Sequence, residues 1–302
     1  MIFEVILMEE FKPKKGLALL EIIMYIVVAN GLYLAVNSFV NSYIELTLLQ
    51  LLVILFNIYC IYYLLITLTL KYQIENNIVI INSLMGIRKI KIYLDDIDGY
   101  NISTGPIKGF KLSGFGRDRY GFGNYVVDKV GVTHMFASSN SEVIYLHSSE
   151  ISYGISPIDA EKFKNIIEEK DIELQEFETK VNKNRRLYKD KKLFVPFILT
   201  TVIIFYIILN PFILYLKQAL PASMPLSFDG KFKPIVMGTG KNFAFKQMSY
   251  GVLNMIILFC MYYASHFNAK YDKRSAYKFI YIALAIALAF LLFQIKILNV
   301  YL

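Results

Sequence analysis

Hydrophobic positions fall along this chain in two ways. At 16–36, 44–70, 193–216, 248–267 and 279–300 they run almost unbroken, whereas over 71–179 they alternate with polar residues and are cut by turn residues. An apolar run of about 20 residues crosses about 30 Å of hydrocarbon as a helix, so the five blocks predict five spans. The second block is long enough to tilt or to extend past the bilayer. Gln294 and Lys296 weaken the end of the fifth. The expected fold is an α-helical multi-pass membrane protein of about five spans, with a folded water-exposed domain at 71–179. The expected domains are a transmembrane hairpin at 1–70, that inserted domain, a basic segment at 180–192 and a transmembrane region at 193–302.

Inside the insertion the pattern reads first as β structure. Ile90, Ile92 and Leu94 alternate with Lys89, Lys91 and Tyr93, the period of a half-buried strand. Asn76-Asn77 marks a turn between Tyr72–Glu75 and Ile78–Asn82. Further strands are expected at 97–103, 125–127, 130–137, 142–147 and 151–155, so six or seven short strands predict a sandwich or small barrel. The period then changes. Ser156 as cap, Pro157 as first helical residue and Asp159 as capping-box partner predict a helix start. Phe163, Ile166 and Ile167 fall on one face of that helix.

A β-barrel closed by one C-terminal amphipathic helix is the pleckstrin-homology (PH) architecture. From about Ile87 to Ile172 the chain resembles the bacterial PH-like domains of Gram-positive membrane proteins. The resemblance rests on Gly121-Phe122-Gly123 with Tyr125, the aromatic strand ending at Phe136, Val143-Ile144, Tyr153, Ile155-Ser156-Pro157 and Phe163. It implies a binding or regulatory module rather than a catalyst, and no particular ligand, because fold does not fix function.

Charge bears on orientation. The net charge is +8, and the basic residues cluster beside the spans. Lys12, Lys14 and Lys15, the run from Lys180 to Lys192, and Lys270, Lys273, Arg274 and Lys278 all fall on one side of a five-span chain. By the positive-inside rule that side is the cytoplasm, which places the N-terminus inside a bacterial plasma membrane and the C-terminus outside. The loop at 217–247 is then external despite its five lysines. No cleavable signal is expected, since Glu4, Glu9 and Glu10 would lie in its n-region. The run at 180–192 acts as a topology signal, and Arg185, Arg186, Lys189, Lys191 and Lys192 are its candidate contacts with anionic lipid.

The external loop carries a second pattern: Leu220-Pro221, Pro225, Phe228, Gly230 and Lys241. Its prolines fix φ and remove donors, and it is read as an ordered loop without secondary structure. With the span that follows, roughly 210–267, it resembles a domain of unknown function with LP/IP-type loops, which also occurs in immunity proteins against the bacterial sporulation-delaying peptide. Ser227 stands where that family usually has a histidine. The resemblance implies that Leu220, Pro221, Pro225, Phe228, Gly230 and Lys241 contact a peptide or partner.

Catalytic motifs are missing. His134, His147 and His266 have no zinc spacing, and Cys60 and Cys260 both sit in apolar runs. Gly238-Thr239-Gly240-Lys241 lacks the spacing of a phosphate loop. Gly114 to Gly121 reads either as a hairpin turn or as a loop presenting Arg117 and Arg119 to an anion. Glu21 is the candidate intramembrane polar residue. It is read as reaching the interface or a nearby lysine. Asn57 and Asn254 are expected to bond across helices, and Asn210-Pro211 to kink the third span.

The expectation is a non-enzymatic membrane protein without cofactor or metal, giving immunity to or sensing a membrane-active antimicrobial peptide. A regulatory scaffold acting through 71–179, and a transporter or membrane enzyme, stay open beside it. Expected partners are membrane lipids, an extracellular peptide and a cytoplasmic protein, but not nucleic acid.

Overall fold

The computed structural model describes residues 8–40, 42–149, 151–177 and 190–302. The chain divides into two compact units, residues 1–29 with 56–181 and residues 30–55 with 182–302. Two long helices, α1 (Ala18–Phe39) and α2 (Tyr43–Thr69), contribute to both.

The first unit is built on two sheets. One has the order β1-β2-β3-β4, with β1 Met8–Phe11, β2 Lys71–Glu75, β3 Ile78–Ser83 and β4 Arg88–Tyr93. The other comprises β5 Ile97–Ser103, β6 Gly109–Gly116, β7 Gly121–Val127, β8 Gly131–Ala137, β9 Val143–Ser148 and β10 Ser152–Ile155. Its order is β5-β9-β10-β8-β7-β6, and β10 runs parallel to β8. The strand β1 is not foreseen from the sequence. Its four residues carry no long alternation, and it is held by pairing with β2 from Met8↔Glu75 to Phe11↔Tyr72 and by the Glu10–Lys71 ion pair at 2.8 Å.

The helix α3 (Ala160–Glu168) covers the core with Phe163 and Ile167, the face its periodicity predicts. Its start differs from expectation. Asp159 is the N-cap and makes no side-chain cap bond, so Ser156 does not cap the helix. Ser156 is instead fully buried. Its Oγ accepts from the Ser138 amide at 3.0 Å, and its own amide donates to the Tyr72 hydroxyl at 3.2 Å. The Ser156 hydroxyl also accepts from the Ser139 amide at 3.4 Å, and a residue bonded three ways inside the core outweighs one cap bond at the surface.

The same core contains Ala18 and Ile22 of α1 and Cys60, Tyr63, Ile66 and Leu70 of α2, clustered with Phe136, Ile144 and Phe163. The inserted domain is therefore not a bead on a linker. The last turns of α2 and the first of α1 are part of its hydrophobic interior, which couples two membrane-length helices to the β structure by burial.

The second unit contains α4 (Lys191–Leu216), α5 (Gly240–Asn268) and α6 (Lys273–Tyr301), with a hairpin of β11 (Met224–Phe228) and β12 (Pro234–Gly238). All five long helices are long and apolar enough to cross a membrane. Two boundaries move from the sequence reading. The helix α5 starts at Gly240, because Thr239 caps it by accepting from the Asn242 amide at 3.3 Å. The helix α6 starts at Lys273, where Asp272 accepts from the Ser275 amide at 3.1 Å. Polar first turns lie outside an apolar window, but capping makes them helical.

Asn254 does not bond across helices. Its amide donates to the Tyr250 carbonyl of its own helix at 2.8 Å. The cross-helix polar link is made by Gln294, fully buried, whose Nε2 donates to the Ile207 carbonyl at 2.9 Å. Close packing of α4 on α5 is set by Gly251, where a Cβ would lie 2.2 Å from Cγ1 of Ile208.

Candidate functional site

Two places gather polar and aromatic groups at the ends of long helices. The first is a cleft of about 980 Å³ in the first unit. One wall is the β6–β7 hairpin with Lys111, Phe115, Tyr120 and Tyr125; the other is Glu21, Met24 and Tyr25 of α1 with Phe56 and Tyr59 of α2. Arg117, Asp118 and Arg119 stand at the hairpin turn.

Glycine makes this hairpin possible. Gly114 has φ +103°, and a Cβ there would lie 2.0 Å from the Phe122 carbonyl oxygen, so only glycine lets the strands approach. The hairpin is then fastened to α2. The Tyr59 hydroxyl donates to the Gly114 carbonyl at 2.7 Å, and Phe115 packs against Tyr25, Tyr59 and Tyr63 with centroids 5.6 to 5.9 Å apart.

The charges of the cleft are unevenly paired. Glu21 meets Arg119, not a lysine, at 3.9 Å. Lys111 donates to the Gly116 carbonyl at 3.0 Å. Burial and the neighbouring Arg117 charge push its amine below the usual lysine range. Tyr120 is 1% exposed, and its hydroxyl lies near the Glu21 carboxylate without making a hydrogen bond of full geometry. Burial, then the nearby Glu21 charge, pushes that hydroxyl upward. The cleft thus holds three cations, two carboxylates and a buried hydroxyl beside one of those carboxylates.

The second place is the loop between α4 and α5, in the second unit. It is not devoid of secondary structure: β11 and β12 pair from Met224↔Gly238 to Phe228↔Pro234. Asp229 closes the turn by accepting from the Lys231 and Lys233 amides at 2.9 and 2.7 Å, a role not assigned from sequence. Phe228, 3% exposed, stacks on Phe232 at 4.4 Å and packs with Met224, Phe243, Phe293 and Ile297. Lys296 lies 4.0 Å from the Phe232 ring and 4.5 Å from that of Tyr43, whose hydroxyl accepts from its amine at 2.7 Å. The lysine that weakened a span in the sequence is therefore an aromatic-boxed cation holding the hairpin base.

Of the loop residues singled out by sequence, Leu220 and Phe228 share this cluster and Pro225 is buried, while Gly230 and Lys241 are exposed. Pro221 is half-buried. The outward side of the hairpin is β12, where Ile235, Val236 and Met237 are 48–55% exposed. Sequence reasoning missed these three, which carry no signal of their own beyond a short apolar run.

Lys191 and Lys192 of the basic segment are exposed in the first turn of α4. Arg185, Arg186 and Lys189 lie outside the described residues. Asp190 caps α4, takes Lys273 at 2.5 Å and accepts from the Tyr277 hydroxyl at 2.6 Å. Among the described residues no three His, Cys, Asp or Glu side chains gather as metal ligands. His134 lies 2.9 Å from Arg88, and His147 lies 2.8 Å from the Ser152 hydroxyl.

Residues 70–171 match the bacterial PH domain family. The match starts earlier than the sequence resemblance because β2 to β4 belong to the domain. Along nearly its whole length the chain is also similar to an uncharacterized protein of Clostridium acetobutylicum, 39% identical over 294 residues, with 97% of this chain and 99% of the other covered. The two proteins belong to one family. Its PH domain here is joined to five helices long and apolar enough to cross a membrane. The family match leaves the 210–267 region outside it. No solved structure matches the chain.

Proposed function

We propose that this is a non-enzymatic protein of the bacterial plasma membrane that gives immunity to, or senses, a membrane-active antimicrobial peptide. In this reading the N-terminus and the PH domain face the cytoplasm, and the β11–β12 hairpin faces outward. The observation that carries it is the hairpin itself. An ordered two-stranded ribbon, pinned at its base by Phe228, presents Ile235, Val236 and Met237 to its surroundings. A two-stranded sheet has free edges, and an amphipathic peptide adds to such an edge through main-chain bonds while apolar side chains cover one another. The test is a killing assay. The protein is expressed in a bacillus strain lacking its own immunity gene and challenged with the sporulation-delaying peptide. Protection supports the reading; full sensitivity at normal membrane expression opposes it.

A regulatory scaffold acting through the PH domain is the second reading, favoured by the burial of α1 and α2 ends in the domain core. Helix movement then reaches the domain directly. A pull-down for it needs the full chain, because a 71–179 fragment lacks Ala18, Ile22, Cys60 and Tyr63 of that core.

A further inference from the structure

The cleft between the β6–β7 hairpin and the inner ends of α1 and α2 lies at a definite depth. From Glu21 to Phe39, α1 rises about 27 Å, and from Tyr43 to Tyr59, α2 rises about 24 Å, at about 1.5 Å per residue. The hydrocarbon of a bilayer is about 30 Å thick. When the far ends of these helices sit at one face of the hydrocarbon, Glu21 and Tyr59 come within about 3–6 Å of its other face, from where long side chains reach the headgroup layer.

At that level the cleft joins two chemistries. Met24 and Phe56 are the apolar part of its helical wall. Tyr25 and Tyr59, 43% and 39% exposed, are aromatic side chains with a polar tip, the kind enriched at the headgroup layer. Lys111, Arg117 and Arg119 bring positive charge to the same opening. Tyr120 adds a buried hydroxyl that lies beside the Glu21 carboxylate but makes no hydrogen bond of full geometry, and a buried polar group of this kind accommodates a further partner. We propose that the cleft seats the phosphate of an anionic phospholipid from the bilayer, held by Lys111, Arg117, Arg119 and the Tyr120 hydroxyl, with an acyl chain against Met24 and Phe56. Burial first, and then repulsion from Arg117, depresses the Lys111 amine, and an anion there relieves the repulsion. Glu21 opposes the same anion and sets a limit on affinity. This site is independent of any peptide bound at the outer hairpin.

The experiment is native mass spectrometry of the full-length protein, delipidated in detergent and titrated with phosphatidylglycerol, phosphatidylcholine or soluble glycerol phosphate. Retention of phosphatidylglycerol over phosphatidylcholine is expected. The K111Q/R117Q/R119Q variant is expected to lose affinity by about fivefold for each cation removed, the weight of one basic residue near an anionic surface. Glu21→Gln is expected to gain affinity, and this arm stands even if the triple variant folds poorly. K191Q/K192Q, which removes exposed cations elsewhere, is expected to leave retention unchanged. Equal retention of both lipids, an unchanged triple variant that remains folded, or equal loss in K191Q/K192Q overturns the site. Displacement of the lipid by an equal concentration of glycerol phosphate also overturns it, by showing a site for free phosphate.

Discussion

The Gln294 amide donates to the carbonyl of Ile207, four residues before Pro211 in α4. In an α-helix that carbonyl takes the N–H of the residue four ahead, and proline has none. Gln294 of α6 supplies the missing donor from outside. A glutamine that weakens an apolar span in the sequence thus repairs a proline defect in its neighbour, and the two irregularities are one feature.

Gln294→Leu is expected to destabilise the protein by about 1 kcal/mol, within the range of measured interhelical hydrogen bonds. The loss is partly offset because the Gln294 carbonyl oxygen is itself buried without a partner. Pro211→Ala restores the N–H, so Gln294→Leu should cost less in that background. A double-mutant cycle on unfolding in detergent checks this, and strict additivity would refute the coupling.

Tyr72 is fully buried, donates to the Phe136 carbonyl at 2.6 Å and accepts from the Ser156 amide. Tyr72→Phe removes a bond from each of these backbone groups and should cost about 1–3 kcal/mol. Thermal unfolding measures it; a shift no larger than that of an exposed control such as Tyr93→Phe would show that the two bonds contribute nothing.

Asp190 is held down to about 2 from the usual 3.8 of an aspartate, first by its bond from Lys273 and then by that from Tyr277. A lowered folded pKa stabilises the ionised state. This contribution is therefore complete above about pH 4 and is lost as pH falls through about 2. Stability between those values should fall less in Asp190→Asn than in the parent protein.

Phe228→Ala should collapse the hairpin base, at about 3–4 kcal/mol for a buried aromatic. With Pro225→Ala it should abolish peptide protection. Because such variants also perturb structure, Val236→Lys on the exposed strand is the sharper probe. It should leave the melting temperature within about 2 °C, the scale of a neutral surface change, yet reduce protection in the killing assay. Unchanged protection would exclude β12 as the peptide surface.

Gly114→Ala forces a Cβ against the Phe122 carbonyl at a left-handed φ. It should unpair β6 from β7 and cost more than the about 1 kcal/mol of an ordinary glycine substitution. Hydrogen exchange of the Phe122 amide region reads it directly; protection equal to wild type would mean that the strands shift to accommodate the methyl group.

The period of apolar residues alone determined the five long helices, the β-rich insertion and the amphipathic helix with Phe163 and Ile167 inward. Length and alternation report local burial, and these elements are locally consistent. Tertiary structure decided which polar residues belong together. Met8–Phe11 becomes a strand only because β2 lies beside it, Ser156 leaves the helix cap for a buried network, and Lys296 finds the rings of Tyr43 and Phe232. Likewise Glu21, Tyr59, Lys111 and Arg119 meet in one cleft although they are far apart in the chain. Hydrogen bonds and charges act over a few ångströms of space, and their partners carry no fixed spacing along the chain.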